Sequence, residues 1–361
     1  MNTTAPTYHI IGAGIAGLAC AYELKRGVPN VRTVVYEASD KIGGRAYSYQ
    51  DKDMGRRLDN ATHVVIGANK NMARFINDGE WEKHAYFWDV EQDSLSGQHQ
   101  RFLAHILKSM CNTPASQIAR DVIRKILWLT FPWTRKKRRV YYSKQDLSQK
   151  FANFFLGSVD ELKLNHKLLK IDSLFGRAAQ LNFGSELVEI GPEDMVFAAL
   201  DNRSYAKLFN EPELPHHPII NIVYQTSQKI NLPKAASFVG VINGLSDWIF
   251  VNDDILAVTI SAADNAQTDL QELARRVWQE IDKLRGVNSA FVPAFKVSCH
   301  KHATIAQTEE VNARRPLTAQ GRYPNLFIAG DWTMQNYPCC LEAAYLSAKR
   351  AVKTALKAKK P

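Results

Sequence analysis

Between residues 8 and 37 the chain passes through an apolar run, a glycine turn, a helical stretch, a second apolar run and an acid, an order compatible with few folds. Tyr8-His9-Ile10-Ile11 leads straight into Gly12-Ala13-Gly14-Ile15-Ala16-Gly17, and Val31 to Tyr36 ends in Glu37. Strand, glycine turn, helix and strand make a crossover unit of a parallel sheet, and the glycine spacing is that of a dinucleotide-binding turn. Gly12 permits the tight turn, Gly14 lets a pyrophosphate approach the backbone, and Gly17 lets the helix lie close on the sheet. Glu37 follows Gly17 by twenty residues, where a carboxylate accepts from ribose hydroxyls. A coincidental glycine turn is the competing reading, and both flanking strands with the acid in register stand against it.

Gly43, Gly44 and Arg45 follow the acid. Paired glycines allow a second close approach of backbone to ligand, and an adjacent arginine can hold phosphate bidentately. At the far end, Asn325 to Ala329 reads as a buried strand that delivers Gly330, Asp331 and Thr333 at its carboxyl edge, where ligands of open α/β sheets bind. The helix beginning near Leu341-Glu342 can then point backbone N–H groups at an electron-rich ring. Asp331 as a plain helix cap is the alternative. Because both chain ends carry nucleotide-site features, the expected fold is α/β, a Rossmann-like cofactor domain, which the resemblance given below implies is FAD-binding, with an inserted α+β substrate domain. The expected segments are 1–70, 156–205 and 306–361 for the cofactor domain, 71–155 for a mainly helical substrate-domain insert, and 206–305 for the substrate domain.

The formal net charge is +10, which suits anionic surfaces or acidic partners, but no zinc-finger spacing or nucleic-acid module accompanies it, so nucleic acid is not an expected partner. The five cysteines show neither metal-ligand spacing nor a disulfide framework, which fits a reducing cytoplasm. No metal site is expected. The first strand starts almost at once, leaving nothing that resembles a signal peptide, and no stretch is long enough to cross a bilayer.

The stretch from Glu37 to Arg45 resembles the second half of the FAD motif in the amine oxidase and phytoene desaturase superfamily. Leu58-Asp59-Asn60-Ala61-Thr62-His63, Cys111-Asn112-Thr113-Pro114, Tyr142 to Ser148, Trp248-Ile249-Phe250, His300 to Thr304 and Gly330-Asp331-Trp332-Thr333 are together similar to the hydroxysqualene dehydroxylases, the squalene-associated branch. The resemblance spans nearly the whole chain. It implies FAD as cofactor and replacement of the hydroxyl of hydroxysqualene by hydrogen from reduced flavin. It implies FAD contacts from Gly12, Gly14, Gly17, Glu37, Gly43, Gly44, Arg45, Gly330, Asp331 and Glu342, and an adenine contact from the backbone of Leu168. The chain departs from the pattern in three places: a shorter insert between Gly67 and Cys111, Ala343 where glycine is usual, and Leu168 itself.

Such chemistry needs an oriented apolar substrate, exclusion of water and one proton donor. His63 is the first candidate donor, because imidazole titrates near neutral pH, although a histidine hydrogen-bonded in a buried turn is an equal reading. His302 is a second candidate; His300 and Lys301 read as solvated. The run Ile126 to Trp133, followed by Arg135 to Arg139, Tyr141 and Tyr142, suits peripheral contact of segment 126–142 with an anionic membrane, with a basic C-terminal tail adding attraction. A core helix followed by a solvated basic loop is the other reading. The expected location is therefore the cytoplasm, with or without attachment to the inner face of the cell membrane. The expected partners are a long apolar isoprenoid and neighbouring enzymes of isoprenoid metabolism. A carotenoid or phytoene-type desaturase, and a flavin- or lipid-binding relative without activity, remain as alternatives.

Overall fold

The computed structural model describes residues 5–359 apart from 29, 83–84, 98–102, 133, 145–147, 266–268 and 290. Trp133, Gln145, Asp146 and Leu147, which the sequence reading used, therefore lie outside the described residues.

The apolar run at the start forms the strand Thr7–Ile11, the middle of a five-stranded parallel sheet. Its neighbours are Arg32–Tyr36 on one side and Met195–Ala198 on the other, flanked in turn by Glu161–Lys163 and Leu326–Ile328. Strands buried on both faces read as continuous apolar runs rather than alternations, as Met195–Ala198 and Leu326–Ile328 do. One face is covered by the first helix, Ile15–Gly27, and the last, Leu341–Ala358. Alanines at 16, 19, 348, 351 and 355 keep this helix layer thin, so the turn preceding the first helix is held close to the sheet edge. A three-stranded antiparallel meander, Lys170–Leu174, Arg177–Asn182 and Leu187–Glu189, joins the core on the other face.

The second large sheet has seven strands in the order Ala294–Ile305, His216–Gln225, Ile255–Ser261, Trp248–Asn252, Phe238–Ile242, Ala85–Asp89 and Ser94–Ser96. The helix Leu270–Arg285 closes one face with Ala274, Val277, Trp278 and Ile281. Full burial of each large apolar side chain there contributes roughly 1.5–3 kcal/mol. The other face meets the hairpin Ser48–Asp51 and Arg56–Asp59, which leads back to the five-stranded sheet.

The 71–155 stretch is mixed rather than mainly helical. It holds the helices Leu103–Cys111 and Arg120–Thr130, but Ala85–Asp89 pairs parallel with Phe238–Ile242, and Val140–Tyr142 pairs with Val64–Ile66. The aromatics Phe87 and Trp88 belong to the strand Ala85–Asp89, where successive side chains point to opposite faces, and both are buried.

Candidate functional site

The glycine turn comes between the first strand and the first helix. Gly12 has φ +103°, and a Cβ there would stand 2.6 Å from the Ala199 carbonyl oxygen. A Cβ on Gly17 would stand 1.9 Å from the Gly12 oxygen, so the protein itself demands both glycines. Gly14 differs. Its backbone is extended (φ −71°, ψ 175°), and a Cβ would meet nothing nearer than Gly44 Cα at 3.7 Å. Neither conformation nor packing requires glycine at 14; the open space above it is what an approaching ligand would use. The helix that follows has no side-chain cap and no acid in its first turn, leaving backbone donors available to an anion. The second glycine loop closes on the first, with the Gly43 N–H donating to Ala13 O at 2.9 Å and Gly44 packed over Gly14.

Glu37 faces this turn. One carboxylate oxygen accepts from Ala13 N at 2.8 Å, and the other accepts from the backbone and hydroxyl of Ser39. Leu168 comes just after His166, whose N–H donates to Glu37 O, and its side chain packs on the core beneath the meander. Arg45 and Asp331, 286 residues apart, form an ion pair at 2.5 Å, and the guanidinium also donates to Ala303 O. Gly330 (φ +136°) is fixed by its neighbours, since a Cβ would stand 2.9 Å from Trp332 Nε1.

Glu342 has a different employment from the one the sequence suggests. Its carboxylate, 3% exposed, accepts from Asn71 N, Asn71 Nδ2 and Met72 N, anchoring the 69–72 loop to the last helix. Glu342→Ala would strand two backbone donors, one of them buried, at roughly 1–3 kcal/mol each. Urea denaturation is expected to show a loss of about 2–5 kcal/mol; a loss below about 1 kcal/mol would refute this anchoring role.

Three motifs converge at the Arg45 carbonyl. It accepts from Asn60 Nδ2 at 2.7 Å and from His63 Nε2 at 3.0 Å, while His300 Nε2 donates to Asn60 O at 3.2 Å. Burial lowers the His63 pKa to about 4, so its ring is neutral at pH 7, with Nε2–H committed to a carbonyl. That arrangement belongs to a hydrogen-bonded histidine in a turn rather than to a proton donor. Because the unfolded imidazole binds its proton near pH 6.5 and the folded one resists it, His63 removes stability as pH falls from about 6.5 towards 4. His63→Gln is expected to flatten that part of a stability–pH profile relative to the parent; superimposable profiles would show that the ring is not desolvated.

His300, expected from the sequence to be solvated, is half-buried against Asn60 O. Lys296, Ser298 and His300 alternate along one face of Ala294–Ile305, paired with Val223, Asn221 and Ile219. Lys296 and Ser298 line a cavity of about 360 Å³ between the hairpin and the seven-stranded sheet, and His300 reaches it through Asn60. Leu58, Tyr142, Ile222, Phe250 and Val258 supply its apolar wall, and Asn60, Ala61 and Thr62 stand at the end next to His63 and His300. Lys296 is held by Asp51, which raises its pKa and keeps it an ammonium. The signal that finds His300 is the period-two alternation of the strand. His302 falls outside this cluster, 46% exposed and turned towards Glu213 and His216.

Of the basic aromatic segment, Trp128 (68% exposed), Phe131 (76%) and Leu127 lie on the surface, with Lys125 Nζ 4.5 Å from the Trp128 ring centre. Tyr141 and Tyr142 are buried instead, and Tyr142 OH donates to Ser237 O and Val251 O. Arg139 is engaged by Asp78 and lies over Trp81. Among the described residues no helix is long and apolar enough to cross a membrane.

Residues 10–78 match the NAD(P)-binding Rossmann-like domain family, and residues 145–356 match the family described as flavin containing amine oxidoreductase. The chain is 26% identical to a hydroxysqualene dehydroxylase of Sinorhizobium fredii over 415 aligned positions, covering 96% of this chain and 98% of the relative. It is 27% identical to the hydroxysqualene dehydroxylase of Zymomonas mobilis, with 96% and 98% covered. A 415-position alignment that takes in 96% of 361 residues leaves several dozen positions of the first relative without a counterpart here. Among solved structures, an oxidoreductase from Methanosarcina mazei superposes with a TM-score of 0.74 at 12% identity, covering 96% of this chain and all of that one, which speaks for the fold.

Proposed function

The chain belongs to the flavin containing amine oxidoreductase family and is an FAD-dependent oxidoreductase, and from that premise we propose that it removes the hydroxyl of hydroxysqualene reductively to give squalene. The observation that carries the reading is similarity to two hydroxysqualene dehydroxylases over 96% of the chain. The cavity between the hairpin and the seven-stranded sheet has an apolar wall of Leu58, Tyr142, Ile222, Phe250 and Val258 for part of an isoprenoid chain, and a polar remainder that includes Asn60, Lys296 and Ser298.

In this reading the turn at Gly12, Gly14 and Gly17 and the start of the first helix receive the FAD pyrophosphate. Glu37 takes the ribose, Leu168 borders the adenine, and Gly43, Gly44, Arg45, Gly330 and Asp331 enclose the remainder. The open space at Gly14 and the uncapped helix fit that group. Bound reduced FAD supplies the hydride equivalent. The alcohol C–O bond breaks, its oxygen leaves as water after taking one proton, and a C–H bond forms in its place. The apolar wall orients the chain of the substrate and excludes water from the reacting carbon. His300, at the polar end of the cavity, is assigned to deliver the proton, a role that His63 does not fill.

An insoluble substrate has to be collected from lipid. Leu127, Trp128 and Phe131, beside Arg124 and Lys125, form the surface proposed to enter an anionic interface. Trp128→Ala combined with Phe131→Ala is expected to abolish co-sedimentation with phosphatidylserine-containing vesicles; unchanged sedimentation would remove this assignment.

The reaction is tested by reducing the holoenzyme anaerobically and adding hydroxysqualene in detergent. Return of the oxidised flavin spectrum with one squalene formed per flavin is expected. A flavin that stays reduced would overturn the proposal, and reduction of the oxidised enzyme by a less unsaturated carotenoid precursor such as phytoene would replace it with a desaturase.

A further inference from the structure

Glu213, His216 and His302 come together outside the cavity, on the edge of the seven-stranded sheet nearest Arg45. They come from three places: the loop after the helix Asn202–Phe209, the first residue of the strand His216–Gln225, and the far end of Ala294–Ile305. The sheet is irregular here for a local reason. His217 pairs with Thr304 and Ile219 with His300, so Lys301, His302 and Ala303 face the single residue Pro218. Proline has no N–H to give the ladder, and the resulting bulge re-aims His302.

The three candidate ligand atoms all lie within 4.8 Å of one another. His216 Nδ1 is 3.4 Å and His302 Nδ1 is 3.7 Å from the same carboxylate oxygen, Glu213 Oε1. A tetrahedral ion with bonds of about 2.0–2.2 Å to nitrogen and oxygen places its ligand atoms about 3.4 Å apart. The two imidazoles meet edge to face at 84°, with ring centres 5.4 Å apart, so their nitrogens converge without the rings colliding. The His216 side chain is 8% exposed, so one side of the trio is shielded from water. Glu213 Oε2 lies 3.8 Å from Arg203 Nε, a contact on the oxygen away from the two histidines.

We propose that Glu213, His216 and His302 form a binding site for one divalent transition ion of the zinc class, with water in the fourth position. Two histidines and one carboxylate are a donor set that zinc accepts, and this set excludes the hard-cation alternatives by its nitrogen content. The ion would tie the loop before one strand to the bulge of its neighbour. Ala303, the next residue in that bulge, supplies the carbonyl that holds Arg45, so the clip would brace one wall of the FAD-binding region.

The full-length holoenzyme, stripped with chelator and dialysed against micromolar Zn²⁺, is expected to retain one zinc per chain by elemental analysis. With Co²⁺ it is expected to show the intense visible bands of a tetrahedral site. His302→Ala changes an exposed side chain and is expected to lose the bound equivalent while keeping its flavin spectrum and circular dichroism. Glu213→Gln is expected to do the same, and His217→Gln, which leaves the trio intact, is expected to keep the metal. No retained zinc in the parent protein, or zinc retained unchanged in His302→Ala and Glu213→Gln, would overturn the site. Neither readout uses a substrate, so the outcome is independent of the proposed reaction.

Discussion

Gly14→Glu is expected to give a folded protein that carries almost no FAD. The new side chain starts from an extended backbone in open space, so the fold has no steric reason to fail. What it obstructs is the approach to the uncapped start of the first helix, where the pyrophosphate is assigned. A carboxylate about 4 Å from a phosphate charge opposes it by about 4 kcal/mol near a protein surface, or about a thousandfold in Kd, before any steric term. Flavin released by acid and measured by fluorescence should therefore fall close to zero. Stability has to be compared between FAD-free forms, because bound cofactor itself raises the parent's melting temperature. Gly17→Ala is the contrasting case: its Cβ would overlap the Gly12 carbonyl, and misfolding is expected. Gly14→Glu with a full complement of FAD would mean that the cofactor does not approach this turn.

The glycine turn, both strands around it and the terminal strand at Leu326 were legible because each is a local pattern: a continuous apolar run, a punctuating glycine, an acid at a fixed offset. Ile219–Tyr224 and Leu256–Ile260 are apolar runs of strand length in the sequence, and in the structure they are antiparallel neighbours. Ala85–Asp89 was hidden, since its partner Phe238–Ile242 lies about 150 residues away and a short aromatic run has no period of its own. Glu342 shows a subtler limit. An acid at the head of a helix reads as part of a ligand site, but whether its oxygens are free depends on where the 69–72 loop lands, and that is a tertiary fact. The trio of Glu213, His216 and His302 was invisible for the same reason: its members are brought into range by a bulge opposite Pro218, not by spacing in the chain.

The same distinction underlies the proposal that His300, rather than His63, carries the proton. His63 stands in the motif that draws attention first, yet its one donated hydrogen goes to Arg45 O and its pKa of about 4 leaves no second proton at neutral pH. His300 shares one face of its strand with the cavity-lining Ser298 and Lys296, and its Nε2 donates to Asn60 O on the cavity wall, a longer contact at 3.2 Å than the one His63 makes at 3.0 Å. Lys296 is a poor competitor, because its ammonium is committed to the buried Asp51. His300→Ala is therefore expected to slow single-turnover reoxidation of reduced enzyme by hydroxysqualene about 10²–10⁴-fold, the range that one general acid contributes. Flavin content and the rate of flavin reduction should not change, and added imidazole should restore part of the rate. His63→Gln should cost far less, because a side-chain amide can still donate to the Arg45 carbonyl. If His300→Ala turns over within about threefold of the parent, the leaving oxygen takes its proton from another group and His300 only braces Asn60.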